Sequence, residues 1–314
     1  MKAEFEAREL KSVAGTFKAM QDLSRRIPLF AAAHFLEDGR VMFICDADYA
    51  GVHPMFHVKF TLKPAGEASG LHERKSACFL VSDFVNAVAK AKASDTLTFE
   101  ILSEGGAQAM VNGMKFYLAP QDDHFTSQLW MPEVSEGQIV LDPRRASDFK
   151  FLDELGIDQI KRALEFVLPA VDPDHPGTRG CMLLEFHGYG CFRLVGTDSR
   201  RIHFADMGMC GKKMAPKDKS VLIAPHAAKI ITQAFSVLER KFPGPTPVKV
   251  QISRGLMTYE DNERIKHACV RFSDSENRLA LYIAFIDDQW INYNSLDWIL
   301  HASDYVCVLL GDEA

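Results

Sequence analysis

The sequence predicts an α+β fold built from two similar units, each with two helices laid over antiparallel sheets. Three observations carry this reading. Segments with apolar residues at helical spacing alternate with groups of short β-branched or apolar runs. Asp-Gly, Gly-Gly and Asn-Gly steps punctuate those runs where tight hairpins need a positive φ. The order helix, strands, strand, helix, strands occurs twice along 314 residues. Four helices with one apolar stripe each must then cover one side of the sheets.

The first helix is expected from Ala7 to Arg25, with Leu10, Val13, Phe17 and Met20 on one stripe and Lys11, Lys18 and Arg25 on another. Strands follow at Pro28 to Leu36, Arg40 to Asp46 and Met55 to Leu62, the first two joined through Glu37-Asp38-Gly39. Pro64 to Gly70 reads as a loop. A strand from Ser76 to Val81 leads into a short helix capped by Ser82 or Asp83, with Phe84, Val85 and Val88 inward and Lys90 and Lys92 near its end. Thr96 to Leu102, Ala107 to Val111 and Lys115 to Leu118 are further strands. Pro120 to about Leu155 is polar and turn-rich, and its later part reads as a connector.

The pattern then restarts. Ile157 to Leu168 is a helix with Ile160, Leu164, Val167 and Leu168 inward, ended by Pro169. Strands are expected at Cys181 to Phe186, Cys191 to Gly196 and Arg201 to Ala205. Strand Ser220 to Ala224 feeds a helix from Pro225 to about Lys241, with proline at its favoured first position. Val248 to Ser253, Leu256 to Glu260, Ile265 to Phe272 and Leu279 to Phe285 complete the second unit. The domains expected are 1–140 and 141–314, the second with the connector at its start and a short C-terminal extension.

Bulk properties bound the function. A hydrophobic fraction of 47% and a charged fraction of 25% are those of a soluble globular protein. The net charge of -6 runs against a uniformly basic nucleic-acid binder, so any DNA contact must come from a local basic surface. The seven cysteines, Cys45, Cys78, Cys181, Cys191, Cys210, Cys269 and Cys307, form no C-x-x-C pair. Reduced thiols in a cytoplasmic protein are expected, and no zinc site. The N-terminus lacks an apolar signal core and no apolar run reaches the ~18 residues of a membrane span. For an enzyme, His53 and His57 are four apart but fall in a strand-and-loop region. Gly-rich phosphate loops, G-x-S-x-G and H-E-x-x-H are absent, and Thr197-Asp198-Ser199 has no evident base partner. No catalytic, cofactor or metal residue is therefore assigned. An enzyme stays as the rival reading, which acid–base residues converging in a deep pocket would favour.

The segment Ile157 to Ala205 carries the most informative likeness. Thr178-Arg179-Gly180-Cys181-Met182-Leu183-Leu184-Glu185 and Leu194-Val195-Gly196-Thr197-Asp198-Ser199-Arg200-Arg201-Ile202 resemble the central domain of bacterial sliding clamps, the β subunits of replicative DNA polymerase. That family shows a threonine-arginine before a "gxxxE" strand and a "TDGHRL"-like turn. Here Ser199 replaces the glycine, Arg200 the histidine and Ile202 the leucine. Ser220 to Pro225 resembles the family's "sviiP" strand, and Phe285 to Tyr293 a degenerate "lvdGrFPdY". Ile44 to Asp48 and Asp95 to Leu118 resemble the first domain more faintly.

The resemblance implies a DNA-clamp fold and a ring that encircles duplex DNA as a processivity factor, tethering polymerase and clamp-loader peptides. Cellular bacterial clamps have three such domains and dimerise. Only twenty-one residues follow Tyr293, so a six-domain ring is expected to need a homotrimer, of phage or plasmid type. A sliding protein needs nonspecific cations, and the helices offer Arg8, Lys11, Lys18, Arg25, Lys90, Lys92, Lys161, Arg162, Lys229 and Arg240. The "TDGHRL"-like turn implies a peptide groove at Thr197, Ser199, Arg200, Arg201 and Ile202, with Trp290 and Ile291 as an apolar wall. In two-domain clamps the groove can instead lie under the connector near Pro120 to Pro143. The tail, with Leu296, Trp298, Ile299 and a strand signal from Tyr305 to Leu310, is expected to pack at the subunit joint. A clamp-fold scaffold that binds proteins without encircling DNA is the remaining alternative.

Overall fold

In the computed structural model of the chain, each helix follows a strand with at most one residue between them. The structure describes residues 1–23, 28–47, 55–66, 68–69, 75–121, 150–173, 180–187, 191–198, 201–208, 220–239, 246–258, 264–286 and 309–310. Strand β1 (Lys2–Glu6) runs into α1 (Ala7–Leu23), followed by β2 (Phe30–Phe35), β3 (Val41–Ala47) and β4 (Met55–Leu62). Strand β5 (Ser76–Leu80) runs into α2 (Val81–Ala89), followed by β6 (Thr96–Ile101), β7 (Ala107–Val111) and β8 (Met114–Leu118). The second half repeats this. Strand β9 (Lys150–Gly156) precedes α3 (Ile157–Val167), a 3-10 turn (Leu168–Ala170), β10 (Met182–His187), β11 (Cys191–Thr197) and β12 (Ile202–Met207). Then β13 (Ser220–Ile223) precedes α4 (Pro225–Glu239), β14 (Pro247–Thr258), β15 (Arg264–Ser273) and β16 (Leu279–Ile286), and β17 (Leu309–Leu310) follows.

The leading strands are exchanged between modules. β1 pairs with β6 and β5 with β2, giving β1-β6-β7-β8 and β5-β2-β3-β4. The second half does the same with β9 on β14 and β13 on β10. β4 pairs antiparallel with β16, from Phe60 opposite Leu279 to Met55 opposite Ala284. One eight-stranded sheet, β5-β2-β3-β4-β16-β15-β14-β9, thus runs through both halves. The helices pack side by side in the order α2, α1, α4, α3.

Between helices and sheets lies one continuous core. In the first half its largest side chains are mostly phenylalanine. Phe43 touches Phe5, Phe84 and Phe99 at ring-centroid distances of 6.0, 5.8 and 5.3 Å. Each such fully buried ring stabilises the fold by about 1.5–3 kcal/mol. Gly15 on α1 sits where a Cβ would come 2.9 Å from Gln233 Oε1 on α4, so the missing side chain sets the close approach of the two halves' helices.

Several expectations are corrected. β1 was not expected, because its charges mask a strict alternation in which Ala3 and Phe5 are buried while Glu4 and Glu6 face water. The end of the expected connector, up to Leu155, lies instead in the edge strand Lys150–Gly156, paired on β14. Val248 to Ser253 and Leu256 to Glu260 are not two strands: Gly255 lies inside one strand, paired opposite His267. α2 has Leu80 rather than Ser82 or Asp83 at its N-cap and no side-chain cap, because β5 runs straight into it. The expected domain boundary at 140/141 lies outside the described residues. Cys45, Cys78 and Cys269 are buried and form no disulfide, and burial pushes the half-buried Cys181 thiol up to about 11. No described helix is long and apolar enough to cross a membrane.

Candidate functional site

Most of the expected cations lie on the helices or just beyond the end of α2. Lys18, Lys90, Lys92, Arg162 and Lys229 are exposed, while Arg8, Lys11 and Lys161 are half-buried. Arg8, Lys11 and Lys18 follow one another along the strip of α1 left open between its neighbours. The layer also carries acids. Lys229 Nζ donates to Asp22 Oδ2 at 3.0 Å, and Arg8 is paired with Glu6. Asp95 accepts from Lys92 N at 2.8 Å and from Asn112 Nδ2 at 2.8 Å, and these bonds hold its carboxyl below the usual range. Arg25 and Arg240 lie outside the described residues.

The second candidate site is built on the other face of the sheet β13-β10-β11-β12. Thr197 is buried, and its Oγ1 donates to Arg201 O at 2.7 Å. Arg201 N and Nε donate to Asp198 at 3.0 and 2.9 Å. These bonds close the turn and leave the Arg201 side chain exposed, so Thr197 shapes the turn rather than presenting its hydroxyl. Ser199, Arg200, Trp290 and Ile291 lie outside the described residues, as does most of the connector between Pro120 and Pro143.

Ile202 belongs to a small apolar patch. Leu183, Val195 and Leu222 form its centre, with Cys181, Ile202 and Phe204 partly buried around it. Leu183 is the register partner of both Val195 and Leu222, so the three form a row across three strands. At its margin Arg193 donates to Asp206 through Nε at 2.6 Å and Nη2 at 2.9 Å, and its guanidinium lies 4.8 Å from the Phe204 ring centroid. The sequence reading named Ile202 but missed Leu183, Val195, Leu222 and Phe204. The signal available was the unbroken run Met182-Leu183-Leu184, which makes both faces of β10 apolar.

The first half has the same row. Ala32 pairs with Ile44 and Cys78 as Leu183 pairs with Val195 and Leu222. Asp46 and His57 occupy the places of Thr197 and Ile202. There the His57 ring is bonded to Asp46 and stands edge-on to Tyr282 of β16, with centroids 5.2 Å apart.

No protein-family profile matches the sequence, and no curated protein matches it. Solved structures do match by shape. The DNA polymerase III β subunit of Thermotoga maritima superposes with a TM-score of 0.63 at 15% identity, covering 94% of this chain and 67% of that one. A putative β subunit from Eubacterium rectale gives 0.60 at 11% identity, covering 97% and 68%. The β subunit of Pseudomonas aeruginosa gives 0.58 at 10% identity, covering 94% and 68%. With four strand–helix–three-strand modules, exchanged leading strands and one helix layer, the chain has the fold of the bacterial polymerase III β subunit, the sliding-clamp fold.

Proposed function

We propose that this chain is a DNA sliding clamp, a noncatalytic processivity factor that encircles duplex DNA and tethers polymerase and clamp-loader peptides. The observation that carries the reading is the junction of β4 with β16. It joins the last strand of one half's first module to the last strand of the other half's second module. Of the same two kinds of strand, β8 stands at a sheet edge and β12 is covered only at Asp206 and Met207 by the two-residue β17, so among the described residues neither has an opposite half to pair with. A second copy supplies what each edge lacks. Head-to-tail contacts of this kind close into a ring when the rotation allows it. With 1–140 and 141–314 as two domains per chain, a homotrimer gives six.

In such a ring the helix layer faces the hole. Arg8, Lys11, Lys18, Arg25, Lys90, Lys92, Lys161, Arg162, Lys229 and Arg240 then face phosphates without reading bases, as sliding demands. The patch around Ile202 faces outward. Its apolar floor beside an exposed Arg201 suits an apolar peptide anchor with an acidic neighbour.

Mass measurement in solution tests the ring, and DNA retention tests its use. A trimer that stays on nicked circular duplex in salt that strips it from linear duplex supports a topological clamp. A stable monomer at all concentrations, or equal loss from circular and linear DNA after loading, overturns it. A trimer without retention favours the protein-binding scaffold.

A further inference from the structure

We infer that the joint between copies has a single register, with Tyr117 of one copy opposite Ile202 of the next, and that the C-terminal strand β17 is the stop that holds it. This rests on the ring reading above.

The register follows from the internal repeat. The residue before each helix anchors the comparison, Glu6 with Gly156 and Leu80 with Ala224. Following the strand pairings outward from these anchors equates His57, Lys59 and Phe60 on β4 with Ile202, Phe204 and Ala205 on β12. The same procedure equates Met114, Lys115 and Tyr117 on β8 with Leu279, Ala280 and Tyr282 on β16. Inside the chain Tyr282 stands opposite His57, Ala280 opposite Lys59 and Leu279 opposite Phe60. Transferred to the open edges, Tyr117 meets Ile202, Lys115 meets Phe204 and Met114 meets Ala205.

Exposure supports this independently. Among the described residues the exposed large apolar side chains are Met114, at 50%, and Tyr117, at 55%, and both lie on β8. The proposed pairing covers both. It also lays Tyr117 beside the patch of Ile202 and Phe204, as Tyr282 lies against His57. The peptide site is thus completed by a side chain from the neighbouring copy.

A strand can slip by two residues and keep its faces. The slipped joint would set Tyr117 opposite Phe204 and Lys115 opposite Asp206, an attractive charge pair. That register needs the free edge of Asp206 and Met207. Those two positions are taken, because β17 pairs there in parallel, Leu309 with Asp206 and Leu310 with Met207. The proposed register does not need them. Opposite Asp206 and Met207 it places Gly113 and Asn112, a turn with φ of +80° and +49° that cannot continue a strand. The tail therefore leaves the correct register open and closes the competing one.

Two double variants of the full chain, Tyr117→Cys with Ile202→Cys and Tyr117→Cys with Phe204→Cys, read the register as intermolecular disulfides on non-reducing gels. Single variants control for native thiols. Directly opposite strand residues lie within disulfide reach in either register. The first pair should cross-link at least about tenfold more than the second, equivalent to about 1.4 kcal/mol. Adding Leu309→Pro and Leu310→Pro, which removes the backbone donors of β17, should raise the second cross-link. Equal cross-linking with the native tail overturns the register, and a ratio unmoved by the prolines overturns the stop. A trimer lacking the 117/202 cross-link sinks the register but leaves the ring, whereas a monomer sinks the ring itself.

Discussion

Lys229 on α4 and Asp22 on α1 are joined by an ion pair between the two halves, with Nζ 3.0 Å from Oδ2. Both side chains are largely exposed, so the pair contributes no more than about 1 kcal/mol to folding. Its larger effect is on the charge the helix layer offers. Asp22→Asn should leave the melting temperature nearly unchanged and strengthen binding to linear duplex DNA. If the freed Lys229 reaches a phosphate, the log–log salt slope steepens by about 0.9. Fluorescence binding titrations at several salt concentrations would show this. An unchanged slope removes Lys229 from the phosphate contacts.

Gly15 controls how closely α1 meets α4. An alanine there meets only the tip of the Gln233 side chain, which can move. It also gains about 1 kcal/mol of helix propensity. Gly15→Ala should therefore be neutral or stabilising in urea denaturation. Gly15→Leu has no such escape and should destabilise by about 1–3 kcal/mol. Equal effects from both substitutions would show that the helix contact does not depend on this approach.

Gly196 is more constrained. A Cβ there would come 2.6 Å from Val171 Cγ2, 2.7 Å from Val167 Cγ1 and 3.1 Å from Val167 O. Gly196→Ala must push β11 away from the end of α3, at a cost of about 1–3 kcal/mol. Because Thr197 follows directly, peptide binding at the Ile202 patch should weaken along with stability. Calorimetry and peptide titration on the same variant would measure both.

His34 gives the fold a pH dependence. Burial, with a smaller contribution from Lys75, lowers its pKa from the ordinary 6.5. Below about pH 6.5 the unfolded chain therefore binds a proton that the folded chain resists. The neutral imidazole is fully accommodated above pH 6.5, and stability falls as pH drops from there towards the folded pKa. His34→Gln should flatten the stability difference between pH 7.5 and 5.5 relative to the unsubstituted protein. Parallel curves for the two proteins would exclude His34 as the source.

Much of the fold was legible. The stripe of Leu10, Val13 and Phe17 marks α1 because helical spacing exposes one face to the core. The Asp38-Gly39 step marks the β2–β3 hairpin because Gly39 adopts a φ of +80°. The edge strands β1 and β9 were not legible. Each depends on a partner far along the chain, β6 and β14, and their local sequences are charged. At the candidate peptide site Ile202 was reached through the turn motif. Leu183, Val195 and Leu222 were not, since they meet only through cross-strand register.

By itself the sequence determined which segments are helical, where hairpins turn, and that the pattern runs twice, because these follow from spacing and from the conformational needs of single residues. Tertiary structure alone decided that the leading strands exchange, that β4 meets β16, that β8 is left at an edge, and that β12 is covered only by the short β17. Those outcomes depend on backbone hydrogen bonds between distant segments, which any strand can offer to any other. Choosing among them takes the packing of four helices onto one shared core.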